Sequence, residues 1–333
     1  MIVAKPLDCN DKDALLSFIK EAYPARNNPE EFLDRTVFSR PSNEWSSSIA
    51  IWDDAKIVGI NMFVETYVTI GGKEHKIVWS YDTMILPQYR NTDASSLLMS
   101  NIYKRKDSFG AGLSDIAVEM NKIMKSKFIA YASAYLKVNI TSKYLANFFY
   151  NFFSFKYILP KNYPINIIGD NYVFNRVNAV DEIRLPNNDY WNCDIIEFNR
   201  NHKFLQWRFF QQDSKYTLYK LIENIEQDGD TYFAARIIEW HNLPLLYIVD
   251  YRFNLRNISK FDLILKAAYK LCKTLRCAGV YIRSSLNHLE PSLKKHKFVR
   301  KGLGTQIVTR YKPAINNDIP VLVTAADSDI DFK

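Results

Sequence analysis

The strand–loop–helix segment at residues 75–106 constrains the fold more than any other part of the sequence. Apolar and β-branched residues alternate over Lys76–Leu86, which predicts a strand. Asn91 or Thr92 can then cap a helix, because apolar residues recur after them at helical spacing. The free N–H groups and the dipole of a helix N-terminus favour an anion, and Arg90 adds a positive charge. The segment is therefore compatible with a phosphate site and with an ordinary β–α junction that carries a capped helix.

The composition fits two domains and anionic partners. The chain has 333 residues, enough for two cores, and a net charge of +8. No basic block is long enough for a nucleic-acid arm, so we expect no nucleic-acid partner. The four cysteines and five histidines show no metal-ligand spacing, which predicts no metal and reduced thiols in the cytoplasm. No apolar run approaches the ~20 residues of a membrane-spanning helix.

The predicted elements repeat one order twice. Residues 1–155 read as strand, helix, three-stranded meander, loop and helix, strand, helix, strand, with a tight turn at Gly71-Gly72. In this scheme Glu119 ends the strand that follows the loop–helix pair. An aromatic, Asn/Pro-rich stretch follows, and residues 156–189 are predicted to be a linker. Residues 190–333 then repeat the order in outline and end in an acidic tail.

The loop and the element order together resemble the GNAT acetyltransferase superfamily. Where that family has Arg/Gln-x-x-Gly-x-Gly/Ala, this chain has the six residues from Arg90 to Ser95. Both glycine positions are substituted, by Asp93 and Ser95. The resemblance implies an α+β fold and acyl-CoA as co-substrate.

Two further signatures resemble the tandem members of this superfamily. The segment Phe204–Phe209, followed by Tyr216, is similar to the Tyr-Leu-x-Trp-Arg…Tyr pattern that opens their second half. The segment Thr324–Asp331 is similar to their Thr-x-Gly-Asp-Ser-Asp ending, with Ala326 in place of the glycine. The resemblance implies two GNAT-like mixed-sheet domains in tandem, residues 1–155 and 190–333. Such proteins include sugar-nucleotide N-acyltransferases of surface-polysaccharide pathways and, more distantly, Fem-type aminoacyltransferases.

The resemblance also implies roles for individual residues. In GNAT folds one strand's splayed backbone pairs with pantetheine, and a carboxylate and a tyrosine often move the protons. We therefore expect three groups of site residues. The acyl-CoA group is Thr83, Met84, Ile85, Arg90, Ser95 and Ser96; the catalytic group is Asp82, Glu119 and Tyr131; and the acceptor group is Trp207, Arg208, Thr324, Asp327 and Asp329.

Three functional hypotheses remain open on the sequence. The first is a cytoplasmic acyl-CoA-dependent N-acyltransferase that acts on a nucleotide-linked amino sugar. The second is a Fem-like transferase that uses aminoacyl-tRNA, although the sequence shows no coiled-coil arm. The third is a non-catalytic GNAT-like binding protein, for which the substituted glycine positions argue.

Overall fold

The computed structural model describes most of the chain. The described residues are 1–26, 28–39, 47–111, 115–139, 162–186, 195–211, 214–223, 229–240, 243–302, 304–315 and 319–327. The aromatic run between residues 140 and 161 lies outside these ranges. None of the helices in the described ranges is both long and apolar enough to span a membrane.

The N-terminal half is a mixed sheet with helices on its faces. Its strands are β1 (Ile2–Pro6), β2 (Ile49–Asp53), β3 (Lys56–Ile70), β4 (Lys73–Ile85), β5 (Ser108–Ala111) and β6 (Lys127–Val138). Its helices are α1 (Lys12–Ala22), α2 (Pro29–Leu33), α3 (Asp93–Lys104) and α4 (Asp115–Ile123). The long β3–β4 hairpin turns at Gly71 and Gly72, whose positive φ angles of 55° and 73° suit a tight turn without a Cβ. The predicted meander and loop–helix pair are confirmed.

The C-terminal half contributes a second set of strands. Its strands are β7 (Asn166–Ile168), β8 (Val173–Val177), β9 (Ile196–Phe198), β10 (Thr217–Leu221), β11 (Tyr232–Trp240), β12 (Leu243–Arg252), β13 (Gly279–Ser284), β14 (Val299–Arg300), β15 (Thr305–Thr309) and β16 (Val321–Leu322). Its helices are α5 (His202–Phe209), α6 (Ile258–Thr274), α7 (Glu290–Lys295) and α8 (Lys312–Ile315). Helix α6 buries an apolar stripe that includes Phe261, Ile264 and Leu271, as its 3.6-residue spacing predicts.

The two halves exchange strands and share one sheet. The strand order is β1-β2-β3-β4-β5-β15-β6-β13-β12-β11-β10-β8-β7. Strand β15 comes from near the C-terminus but pairs antiparallel with both β5 and β6. The far end of β6, from Ser133 to Val138, pairs antiparallel with β13. Each half is therefore completed by a strand from the other.

Two sequence predictions about local structure are wrong. Residues 156–189, predicted to be a linker, contain β7 and β8, which pair with each other, and β8 also joins β10. The segment predicted to be a strand ending at Glu119 is helix α4. Its short apolar run is also compatible with one face of a helix, and Ala117, Met120 and Met124 do line one cavity together.

Candidate functional site

A bulge in β4 opens the sheet at the predicted acyl-CoA site. The β3–β4 register shifts between Ile60 and Met62, and Asp82 takes a left-handed conformation with φ of 46°. A bulge kinks a strand and re-aims its side chains. The described parallel pairing of β4 with β5 runs from Val78↔Ser108 to Ser80↔Gly110 and stops before this point.

A cavity of about 270 Å³ lies where β4 and β5 separate. Strand β4 contributes Ser80, Asp82, Thr83 and Met84 to its lining. The remaining walls come from β5, from α3 and α4, and from Val308 to Arg310 at the end of β15. Three of the predicted residues, Asp82, Thr83 and Met84, thus share one cavity. Ile85 is buried one residue farther along β4.

Asp82 is held by an arginine from the segment after α1. Arg26 donates from Nη1 to Asp82 Oδ2 (3.2 Å) and from Nη2 to Asp82 Oδ1 (3.1 Å). The guanidinium carbon also lies 4.2 Å from the ring centre of Tyr23 and 4.0 Å from that of Phe32. Paired and stacked in this way, the arginine fixes the carboxylate at the cavity wall.

A small polar cluster lies at the same bulge. Asn61 is fully buried, and its Nδ2 donates to Ser80 Oγ at 3.2 Å and to Thr83 Oγ1. Its Oδ1 is buried without a hydrogen-bond partner among the described residues. A buried polar atom left unpaired carries a desolvation cost, which is a feature typical of sites where a fold is shaped for function.

The loop before α3 satisfies part of its own hydrogen-bonding capacity. Thr92 caps the helix by accepting from the N–H of Ala94 at 3.3 Å. The N–H groups of Ser95 and Ser96 both donate to the Thr92 carbonyl, and Ser95 Oγ donates to it as well. Arg90 is exposed and lies 3.9 Å from the sulfur of Met84, which lines the cavity. Of this loop, Arg90 is therefore the group most available to an anion.

The other two predicted catalytic residues lie apart from the cavity. Glu119 is on the exposed side of α4 and pairs with Lys122 at 2.6 Å. Tyr131 lies on β6 with its ring centre 4.6 Å from that of Phe128. Neither side chain lines the cavity between β4 and β5. The predicted strand would bring Glu119 to the site, whereas the observed helix carries it to solvent.

Trp207 and Arg208, predicted to contact the acceptor, connect parts of the protein. The indole of Trp207 donates to the Arg35 carbonyl of the N-terminal half at 3.0 Å. Arg208 is buried and donates to the carbonyl of Ala326 at 3.3 Å and to the hydroxyl of Tyr216 at 3.1 Å. Their sequence motif therefore corresponds to anchoring contacts between α5, the N-terminal half and the C-terminal segment.

Thr324 and Asp327, also predicted to contact the acceptor, lie in a buried ionic network. Asp327 pairs with Arg200 at 2.5 Å, and Arg200 also reaches Asp250 at 3.1 Å. The hydroxyl of Thr324 donates to Asp250 at 2.7 Å. These three ionic side chains are at most 4% exposed. They are therefore shielded from an acceptor, and Asp329 lies outside the described residues.

The network continues through Arg252, and it shifts the pKa of its carboxyl groups in opposite directions. Arg252 pairs with Glu197 at 2.6 Å and with Asp250 at 3.0 Å. Burial alone would raise the pKa of Asp250, but Arg200 and Arg252 outweigh it and hold that pKa below its usual value. At Glu197 burial is the largest effect and raises the pKa despite Arg252.

No family model and no curated relative matches the chain. Solved structures do. A conserved protein of Enterococcus faecalis V583, described as a probable N-acyltransferase, aligns with a TM-score of 0.62 at 11% identity over 94% of this chain and 74% of that one. A GCN5-related N-acetyltransferase from Anabaena variabilis ATCC 29413 aligns with a TM-score of 0.57 at 11% identity, over 92% and 72%.

A Saccharomyces cerevisiae N-myristoyltransferase with bound myristoyl-CoA has a TM-score of 0.56 at 12% identity, over 93% of this chain and 83% of that one. The chain therefore has the GNAT fold. Because these alignments cover nearly the whole chain, they include both halves, and the predicted fold class is confirmed.

Within this GNAT fold, sequence reasoning missed three residues at the cavity. Tyr23 and Arg310 line it, and Arg26 holds Asp82. Arg310 donates to the carbonyls of Ile102 (3.0 Å) and Tyr103 (2.6 Å) at the end of α3. It reaches this place only because β15 enters the N-terminal half. No local sequence signal indicates that exchange.

Among the described residues, no group of three or more His, Cys, Asp or Glu side chains is arranged to hold a metal ion.

Proposed function

We propose that the protein is an N-acyltransferase that takes its acyl group from acyl-CoA. The observation that carries the proposal is the opening between β4 and β5. There the pairing of β4 with β5 ends, within the described residues, at Ser80↔Gly110, a bulge follows at Asp82, and a cavity of about 270 Å³ is lined by Thr83 and Met84. An extended pantetheine arm can lie along such an opened strand edge and hydrogen-bond to its backbone.

Arg90 and the start of α3 would hold the phosphates. Arg90 is exposed beside Met84 at the cavity, and the positive end of the twelve-residue α3 lies close to it in the chain. Asp93, in the first turn, would repel a pyrophosphate placed directly over it. We therefore expect the phosphates to sit on the Arg90 side of the loop.

The reaction is aminolysis of a thioester. The acceptor nitrogen attacks the carbonyl carbon, so the C–N bond forms, the C–S bond breaks and the amine gives up one proton. The CoA thiolate leaves and takes up a proton. Backbone N–H groups of β4 would stabilise the developing oxyanion, and alignment in the cavity would supply much of the rate enhancement.

Asp82 is the residue we propose to receive the amine proton. It lines the cavity, whereas Glu119 and Tyr131 do not. Its pairing with Arg26 holds both carboxylate oxygens in a fixed position at the cavity wall. A water molecule between Asp82 and the amine would be compatible with this role.

For the acceptor we propose the amino group of a nucleotide-linked amino sugar, as the tandem-GNAT resemblance implies. The net charge of +8 agrees with two phosphate-bearing substrates. Thr324, Asp327, Trp207 and Arg208 are engaged in internal contacts, so we expect other groups to bind this acceptor.

Calorimetric titration with acetyl-CoA and longer acyl-CoAs tests the proposal. Ala117 on α4 lines the cavity, and Ala117→Trp should fill it and abolish acyl-CoA binding. The matched control is Lys122→Trp on the same helix, where the side chain is 67% exposed. The acyl-CoA affinity of Lys122→Trp should equal that of the unmodified chain. Absence of acyl-CoA binding to the unmodified chain would favour the non-catalytic hypothesis.

A further inference from the structure

Four neighbouring strands form a cleft on the sheet face opposite α6. Alternate side chains of β11, β12, β13 and β6 point to this face, and the register places Arg236, Tyr247, Tyr281 and Leu136 in one row across it. Tyr247 and Tyr281 are in edge contact, with ring centres 4.9 Å apart. The intervening residues Ile237, Leu246, Ile248, Val280, Ile282 and Tyr135 belong to the core packed on α6.

The cleft has a volume of about 500 Å³ and lies where the two halves join. Strand β6 contributes Ala134 and Leu136, the β14–β15 connection contributes Lys301 and Gly304, and β15 contributes Thr305. Thr305 begins the same strand whose other end, at Val308, lines the acyl-CoA cavity. Three residues of strand span ~10 Å. The cleft and the cavity are thus separate but close.

Three cations line the cleft without a carboxylate partner. They are Arg236, Arg283 and Lys301, and no Asp or Glu of the described chain lines the cleft or forms an ion pair with them. Arg283 donates to Thr305 Oγ1 at 2.7 Å, yet its Nε is buried without a hydrogen-bond partner among the described residues. The Nε of Arg236 is likewise buried without a hydrogen-bond partner among the described residues. Three positive charges that line one cleft with no carboxylate among its described lining residues favour an anionic ligand.

Aromatic side chains form part of the apolar lining of the cleft. Trp240 is 45% exposed and lines it together with Tyr247 and Tyr281. The Arg283 guanidinium lies 5.8 Å from the Tyr281 ring centre. Flat aromatic surfaces beside cationic side chains suit a ligand that carries both a planar ring and phosphate groups.

We infer that this cleft binds the nucleoside diphosphate part of the acceptor, with Arg236, Arg283 and Lys301 on the phosphates and the base against Trp240. The inference rests on the proposed function for the nature of the acceptor. In this inference the acceptor binds to strands of the C-terminal half together with β6, where the two halves join. It does not bind to the acidic tail.

Calorimetry on the full chain without acyl-CoA provides the test, with UDP as the probe. UDP should bind saturably, whereas uridine, which lacks the phosphates, should bind at least about 10-fold more weakly. Lys301→Gln and Arg283→Gln should each raise the UDP dissociation constant about 10-fold or more, because each removes a charge-assisted contact. The matched control is Arg300→Gln, which removes the same charge from the exposed neighbouring position outside the cleft. Its UDP affinity should change less than about 2-fold.

Several outcomes would overturn the inference. UDP binding that is absent, or that is equally strong in Lys301→Gln and Arg300→Gln, would do so. Lys301 is exposed, so Lys301→Gln should fold even if Arg283→Gln does not. Competition between acetyl-CoA and UDP would assign the cleft to the cofactor and would contradict it too. A chain that binds UDP but no acyl-CoA would instead overturn the proposed function and retain the nucleotide site.

Discussion

Arg26 and Asp82 form a two-pronged ion pair, with N–O distances of 3.2 and 3.1 Å, at the point where β4 bulges. The pair joins the segment after α1 to the wall of the cavity between β4 and β5, and both side chains are largely buried, at 13% and 8% exposure. This ion pair therefore has two structural roles. The pair fixes the carboxylate proposed to accept the amine proton, and it holds the α1–α2 segment against the sheet.

Removal of Arg26 should destabilise the protein more than loss of a surface charge would. Arg26→Met leaves Asp82 at a largely buried position without its partner, and we expect a loss of about 1–3 kcal/mol in the free energy of unfolding. Arg26→Met combined with Asp82→Asn should recover part of that loss. Urea unfolding of the single and double variants measures both effects. The control is Arg105→Met, which breaks the more exposed pair with Asp107 and should cost less than about 1 kcal/mol. Additive losses in the double variant would contradict the coupling.

Arg90 should matter for acyl-CoA binding and little for folding. We expect Arg90→Gln to raise the KM for acyl-CoA about 10-fold, because a charge-assisted phosphate contact is lost, while the KM for the acceptor stays the same. Lys104→Gln, at the opposite end of α3, is the matched control. Steady-state kinetics with each substrate varied in turn provide the comparison. Equal KM values for acyl-CoA in Arg90→Gln and Lys104→Gln would show that the phosphates do not bind at Arg90.

Stability should depend on pH through Asp250. Its pKa is lowered in the folded protein, since the attraction of Arg200 and Arg252 exceeds the effect of burial. The ionised form therefore stabilises the fold, fully above the usual pKa of about 4, and this contribution disappears as the pH falls through the folded pKa.

Asp250→Asn should accordingly lose most stability at neutral pH, and its difference from the unmodified chain should shrink as the pH falls to about 3. Urea unfolding across this range provides the measurement. If the free energies of unfolding of Asp250→Asn and of the unmodified chain differ by the same amount at every pH, Asp250 is not the source of the pH dependence. Glu197 has the opposite effect on stability. Because its pKa is raised in the folded protein, its ionised form destabilises the fold, and the free energy of unfolding falls as the pH rises above its usual pKa.

The strand exchange makes the two halves interdependent. Ile307, on β15, is fully buried in the core of the N-terminal half. Ile307→Ala should cost about 2–5 kcal/mol and should speed amide exchange in Phe109–Ala111 of β5, although the residue belongs to the C-terminal part of the chain. Ile165→Ala, at a position 66% exposed, is the control and should change stability by less than about 0.5 kcal/mol. Unchanged exchange in β5 would contradict the role of β15.

Local sequence signals predicted the part of the fold that local chemistry determines. The Gly71-Gly72 turn, the alternation in β4, the Thr92 cap and the stripe of α6 all correspond to observed elements. Glu119 shows the limit of such signals, because its short apolar run is compatible with either a strand or a helix.

The rest depends on long-range pairing that no window of sequence contains. Nothing near Thr305–Thr309 indicates that this strand lies between β5 and β6, so Arg310 could not be placed at the cavity. The role of the acidic tail also depends on a contact between residues that are far apart in the sequence. Asp327 has the chemistry to bind an ammonium group, but its partner Arg200 lies 127 positions earlier in the chain. Only the fold shows that this carboxylate is already paired.

A crystal structure with an unreactive acyl-CoA analogue tests the central claim most directly. The account predicts that the pantetheine arm lies between β4 and β5, beside Thr83–Ile85, with its phosphates near Arg90. The thioester position should then face Asp82. An analogue bound elsewhere, for example against β12 in the C-terminal half, with the cavity between β4 and β5 empty, would contradict it.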